Sequence, residues 1–188
     1  MKNDEATKTD EIGATKPCRI LLADDHATVR YGLKATLRSV PGIKICGEAV
    51  TGREAFELAK ALRPDLVILD LSMPEMNGLE AARVIRRALP QTEVMVLTLH
   101  ISEAIARMAL RSGARGYVTK SDSRSELIAA VQSVREHRPY VTSRLAEKLQ
   151  DEIERIEAQR SADHFMPAGR QFTREQIVAA LVRSEEKS

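Results

Sequence analysis

The chain has 188 residues, 43% of them hydrophobic and 3% aromatic, with 29 Lys plus Arg against 27 Asp plus Glu for a net charge of +2. That length suits one domain with extensions, and a core built from Leu, Ile, Val and Ala rather than aromatic rings. A balance this close to neutral does not mark a nucleic-acid or membrane binder, and no apolar run approaches the ~20 residues of a membrane span.

The N-terminal stretch MKNDEATKTDEIGATKP has no apolar segment of the kind a secretory signal needs, so residues 1–17 are expected to form a disordered tail. From Cys18 to about His137, short β-branched runs alternate with helical periods. The pattern predicts strands over 18–23, 43–49, 65–70, 93–99 and 116–120. The helices between and after them fall over 27–39, 52–63, 78–89, 102–112 and 123–137. Thr51 with Glu54, Asn77 with Glu80, and Ser123 with Glu126 each place a cap residue three positions before an acid, a helix-start signature. Pro41-Gly42 and Asn77-Gly78 mark turns. Five strand–helix alternations imply an α/β fold, a five-stranded parallel sheet with helices on both faces. Runs such as LVIL and VMVL are apolar at every position, as central parallel strands are. Cys18 and Cys46 fall in predicted core strands and read as buried, reduced thiols, which agrees with a cytoplasmic location.

After Pro139 the alternation stops, and 18–140 is taken as one domain. Residues 143–160 are rich in helix formers and carry an apolar stripe of Leu145, Leu149, Ile153 and Ile156. The stripe either pairs with a second copy or packs on the α/β domain. A second short helix is expected over 173–184, with Thr173 as its cap.

The strand ends carry the chemistry. Asp24 and Asp25 close the first run, Asp70 the third and Thr98 the fourth, while Lys120 ends the fifth. In a parallel sheet the carboxyl ends of the strands share one edge, where ligands bind. Taken singly, each residue has an ordinary role: Asp25 as a helix cap, Asp70 as a polar strand terminus, Thr98 as a β-branched strand residue, Lys120 as solvated surface. Together they make one phosphate-and-metal site. Three carboxylates in one crevice repel unless a cation intervenes. Magnesium fits, with carboxylates, a backbone carbonyl from the loop after Asp70, and water or phosphate oxygens in an octahedral shell. Asp70, between an apolar strand and the loop LSMPEMNG, can attack phosphorus and form an acyl phosphate. Lys120 supplies a point charge for a phosphoryl oxygen, and the Thr98 hydroxyl can donate to another.

The segments LLADDHATVRYGLKATL, LVILDLSMPEMNGLE, VLTLH and GYVTK resemble a response-regulator receiver domain of the NarL/FixJ type over residues 18–137. The resemblance implies a flavodoxin-like doubly wound sheet of strand order 2-1-3-4-5. It implies phosphorylation of Asp70 by a partner histidine kinase, with Asp25, Asp70 and the Ser72 carbonyl as direct magnesium ligands. Asp24 is similar to the acid that holds a metal-bound water. Thr98 and Lys120 resemble the phosphate-sensing pair, and Tyr117 the aromatic switch that turns inward on activation; on residue type alone, a half-buried aromatic on an edge strand is an equal alternative for Tyr117. Ser121 departs from the pattern, since proline often follows the lysine.

Regulators of this type usually continue into a four-helix DNA-binding module. Here FTREQIVAAL resembles only the opening of its first helix, and residues 183–188 follow. A helix-turn-helix needs a second helix for the major groove. Residues 141–188 hold 8 Lys plus Arg and 9 Asp plus Glu, a net of 8 − 9 = −1, whereas a DNA-binding segment is basic. The expectation is a helical tail over 141–188 without a complete DNA-binding module, no DNA binding by the isolated chain, and no membrane partner. Output then runs through contact with another protein or through self-association as a homodimer. A transcriptional regulator with a degenerate or partner-supplied DNA reader is the alternative. A haloacid-dehalogenase-like phosphatase would need DxDxT at the nucleophile strand, where this chain has LDLSMPEM. The chain is therefore expected to be a phosphoacceptor signalling domain rather than an enzyme, its only catalysis being phosphoryl transfer to itself and autodephosphorylation.

Overall fold

In a computed structural model that describes residues 16–162, the predicted alternation folds into one parallel sheet. Its strands are β1 (Cys18–Ala23), β2 (Ile43–Ala49), β3 (Leu66–Asp70), β4 (Glu93–Thr98), β5 (Gly116–Thr119) and β6 (Tyr140–Val141). Between them run α1 (Ala27–Arg38), α2 (Gly52–Leu62), α3 (Gly78–Ala88), α4 (Glu103–Arg111) and α5 (Arg124–Arg135). The strand order is β2-β1-β3-β4-β5-β6, all pairs parallel. The first five strands take the expected order, and the sheet gains a sixth strand that the sequence pattern does not announce. Two residues are too few to show a period of two.

Local chemistry accounts for the helix starts. The Asn77 side chain accepts from the Leu79 and Glu80 amides while the Glu80 carboxylate accepts from the Asn77 amide at 3.1 Å, a complete capping box. Ser123 and Glu126 form another. At α2, Thr51 accepts from the Glu54 amide at 3.0 Å, but the Glu54 carboxylate reaches one residue further back, to the Val50 amide at 2.8 Å. The first helix starts without a side-chain cap. Asp25 therefore does not serve as its cap.

β3 and β4 are buried along their whole length. They divide two apolar layers. On one face Leu33 and Leu37 of α1 and Leu127, Val131 and Val134 of α5 cover Ile20, Leu22, Ile68 and Met95. On the other, α2, α3 and α4 cover Leu21, Val67, Leu69 and Val96, joined by Val141, Leu145 and Leu149 from the segment after β5. Cys18 is buried, Cys46 is half-buried, and both are free thiols. Burial pushes the Cys18 thiol up to about 11, so it stays protonated.

The helix expected over 143–160 is interrupted. It divides into α6 (Ser143–Ala146), a tight 3-10 turn at Glu147–Leu149, and α7 (Gln150–Ala162). Leu145 and Leu149 are buried, and Ile153 and Ile156 pack against the same cluster, so the apolar stripe rests on the chain's own α/β domain. The disordered tail expected over 1–17, apart from residues 16 and 17, and the helix expected over 173–184 lie outside the described residues. No helix among the described residues is long and apolar enough to cross a membrane.

At the amino edge of the sheet, Glu93 is buried within an ionic cluster. It meets Arg115 at 2.9 Å, Arg86 at 3.5 Å and His137 at 2.7 Å. Burial alone raises its carboxyl, but Arg86, His137 and Arg115 together outweigh that and hold it below the ordinary range.

Candidate functional site

The neighbour relations β1–β3–β4–β5 line up the strand ends that the sequence singled out. Ala23 pairs with Leu69, Asp70 with Leu97, and Thr98 with Thr119. Asp24 and Asp25 leave β1, Asp70 ends β3, Thr98 ends β4, and Lys120 leaves β5. Residues spread over nearly a hundred positions thus meet at one edge.

Asp24 and Asp70 are buried, at 1% and 3% exposure. The Lys120 ammonium reaches both, 2.7 Å from Asp24 Oδ2 and 3.0 Å from Asp70 Oδ1. Burial raises the Asp70 carboxyl above its usual range; Lys120 opposes this and the Asp24 charge adds to it. Burial alone lowers the Lys120 ammonium, but the two carboxylates outweigh it and hold it above its usual value, so it stays charged. Asp24 Oδ1 accepts from the His26 amide at 2.8 Å, whereas the buried Oδ2 has the ionic contact with Lys120 and no well-aligned hydrogen bond. Asp25 is one-third exposed, and its Oδ1 lies 2.6 Å from His26 Nδ1. Asp24, Asp25 and His26 bring one ligand atom each within 4.8 Å of the others. The carboxylate oxygens of Asp24 and Asp25, with His26 Nδ1 beside them, make a donor set that fits a divalent cation, although Asp70 is not among these three.

Around the carboxylates the backbone is fixed by contacts that carry no sequence motif. The Arg30 guanidinium donates to the Asp24 carbonyl at 2.7 Å and to Glu48 at 3.1 Å. A Cβ on Gly78 would lie 2.2 Å from the Asp70 carbonyl oxygen, so the start of α3 can close on the end of β3 only with glycine there. Ser72 is exposed in the loop between them. In that loop Glu75 takes φ 64°, a left-handed conformation that costs a non-glycine residue roughly 1–2 kcal/mol. After β5, the Lys120 amide donates to the Thr98 carbonyl at 2.7 Å and the Asp122 carboxylate accepts from the Thr119 amide at 2.8 Å. The turn at Ser121 has a trans peptide.

Thr98 is buried, and its hydroxyl oxygen accepts from the His100 amide at 3.2 Å. The Tyr117 hydroxyl donates to the His100 carbonyl at 2.6 Å. Tyr117 is fully buried rather than half-buried. The reason is topological: β6 pairs outside β5, so Tyr117 is not on an edge strand. Burial also pushes its hydroxyl well above the ordinary tyrosine value, so it remains a donor. His26, Arg30, Gly78 and Asp122 are site residues that sequence reading missed. Only Gly78 carried a local signal, in the Asn77-Gly78 turn.

A family model for the response regulator receiver domain matches residues 20–132. The chain belongs to this family. It is 34% identical over 146 residues to the response regulator UvrY of Escherichia coli O6:H1, covering 78% of this chain and 66% of that one. It is 33% identical over 131 residues to the response regulator GacA of Pseudomonas aeruginosa, covering 70% of this chain and 61% of that one. The chain thus spans somewhat under two thirds of these relatives. Among solved structures, a LuxR-family two-component response regulator from Aurantimonas superposes with a TM-score of 0.69 at 34% identity, over 74% of this chain and 99% of that one. The signal receiver domain of the NarL regulator from Mycobacterium tuberculosis does so with a TM-score of 0.63 at 34% identity, over 65% of this chain and 99% of that one. A receiver domain of a two-component response regulator is a signalling domain rather than a classical enzyme, and this chain carries that domain.

Proposed function

We propose that Asp70 is the phosphoacceptor and that a histidine kinase is the donor. The observation that carries this reading is the shared Lys120 ammonium, 2.7 and 3.0 Å from the Asp24 and Asp70 carboxylates at one sheet edge. An Asp70 oxygen attacks the phosphorus of a phosphohistidine. The new O–P bond forms as the P–N bond breaks, and the departing imidazole nitrogen takes a proton. Lys120 then trades a carboxylate oxygen for a phosphoryl oxygen, and the Thr98 hydroxyl donates to another. Such transfer depends mainly on positioning and charge neutralisation, which these residues supply. Hydrolysis of the acyl phosphate by water resets the site without another protein.

Asp25, Asp70 and the Ser72 carbonyl would hold a magnesium ion, with Asp24 holding one of its waters. The ion supplies positive charge for the phosphoryl oxygens and relieves the repulsion among the carboxylates. Output runs through protein–protein contact or self-association, in the cytoplasm. The test is phosphorylation by acetyl phosphate followed by intact mass, with magnesium and with a chelator. One added phosphate is expected only with the metal, and Asp25→Ala should need far more of it. Equal uptake under chelation would contradict the metal site.

A further inference from the structure

Of the residues at the carboxylate edge, His26 has no part in the phosphoryl transfer. It follows Asp25 directly and stands at the N-cap of α1 with φ −89° and ψ 110°, yet its side chain caps no amide. Its backbone is pinned from both sides. The amide donates to Asp24 Oδ1 at 2.8 Å, and the carbonyl accepts from the Val29 and Arg30 amides at 3.1 and 3.2 Å. Arg30 also fixes the Asp24 carbonyl at 2.7 Å. These anchors hold the ring beside the acids, with Nδ1 2.6 Å from Asp25 Oδ1 and 3.6 Å from Asp24 Oδ1. A surface ion pair would account for the contact with Asp25 alone, and such pairs contribute little. A helix N-terminus is also the wrong end for a positive ring. A ring nitrogen and two carboxylate oxygens that all lie within 4.8 Å of one another have instead the spacing of ligands about one ion.

We propose that His26 Nδ1 is a metal ligand that gives this site affinity for zinc, in competition with magnesium. The proposal rests on the reading of Asp24 and Asp25 as a metal site. Magnesium takes oxygen ligands and keeps several waters, so it draws no strength from an imidazole. Imidazole suits zinc, copper, iron and nickel, whereas carboxylate and carbonyl oxygens suit magnesium and manganese. Zinc binds carboxylate oxygen as well as ring nitrogen, and its open sites combine three protein ligands with a water. Asp24, Asp25 and His26 supply three such donors from consecutive positions. The His26 side chain is 68% exposed, so an ion reaches Nδ1 without entering the core. The two ions also treat the contact with Asp25 differently. Magnesium can use Asp25 Oδ1 only when the ring gives that oxygen up, while zinc keeps both groups as ligands. His26 therefore opposes the hard ion and supports the nitrogen-binding one.

The test is calorimetric titration of the full chain with magnesium chloride and, separately, with zinc chloride, for the parent, His26→Asn and Asp25→Ala. Asparagine is a favoured N-cap residue, so His26→Asn preserves the start of α1. It should weaken zinc binding roughly tenfold or more, since losing a group that merely hydrogen-bonds a ligand already costs that much. Magnesium affinity should hold or rise in the same variant, and Asp25→Ala should weaken both ions. Nitrogen NMR of the chain with isotope-labelled histidine reads the ligand directly. The Nδ1 resonance that His26→Asn lacks should take the shift of a metal-bound nitrogen with zinc and not with magnesium. Equal losses of zinc and magnesium in His26→Asn would overturn the ligand role, because the ring would then only position Asp25. Zinc binding that is undiminished in His26→Asn, or still tight in Asp25→Ala, would overturn it as well, because the ion would sit elsewhere. If magnesium binds through Asp25 while zinc ignores His26, only this inference falls. If the parent binds neither ion, the metal site falls and this inference with it.

Discussion

Replacing Lys120 by alanine should destabilise the protein in a way that magnesium repairs. The Lys120 side chain is 9% exposed and lies 2.7 and 3.0 Å from the carboxylates of Asp24 and Asp70, whose side chains are 1% and 4% exposed. At an effective dielectric of about 20, each contact represents roughly 6 kcal/mol of gross attraction, most of it offset by desolvation. Removing one partner of a buried pair costs about 3–5 kcal/mol, because the charge left behind has neither water nor counterion. Here two like charges are left, so the upper part of that range is expected. The pH dependence follows from the raised Asp70 carboxyl, which Lys120→Ala raises further. A carboxyl whose folded pKa lies above its unfolded value adds stability below the unfolded pKa and loses it as pH rises through the folded one. The deficit of the variant should therefore be largest at pH 7–8 and shrink toward acid. Urea unfolding with a chelator, and with millimolar magnesium, measures it. Magnesium should stabilise Lys120→Ala more than the parent. A variant as stable as the parent at pH 7.5 without metal would refute the claim that Lys120 neutralises an apposed pair.

Gly78→Ala places a Cβ 2.2 Å from the Asp70 carbonyl oxygen, and the displaced loop should slow acetyl-phosphate labelling by about a hundredfold while leaving the fold intact by circular dichroism. Glu93→Ala should cost about 3 kcal/mol in urea unfolding, since it leaves Arg115, 11% exposed, without its carboxylate. Because the Glu93 carboxyl is held low, its contribution is present above the ordinary carboxylate range and is lost as pH falls through the depressed value; the difference between variant and parent should narrow there. Tyr117→Phe removes the donor to the His100 carbonyl and should cost about 1 kcal/mol, measured by the same unfolding curves.

The parallel alternation and the converging strand ends were readable because β1, β3 and β4 are short apolar runs closed by polar residues, and three helix starts carry a cap residue three positions before an acid; the strand order was implied by the resemblance. Strand β6 and the break in the last helix were not, because neither has a local period: Tyr140 and Val141 form a strand only because β5 offers its edge. The same gap explains Tyr117. Its residue type marks an edge-strand aromatic, and its full burial depends on a strand that begins 23 positions later in the chain (140 − 117). Arg30 shows another limit. Its contact with the Asp24 carbonyl follows from the helical rise of α1 and from no residue pattern in the sequence.

Borohydride trapping of the acyl phosphate, followed by peptide mapping, tests the assignment of Asp70 most directly. After acetyl phosphate and magnesium, the label should fall on Asp70 alone and be absent from Asp70→Asn. Label on another residue, or undiminished label in Asp70→Asn, would contradict the account.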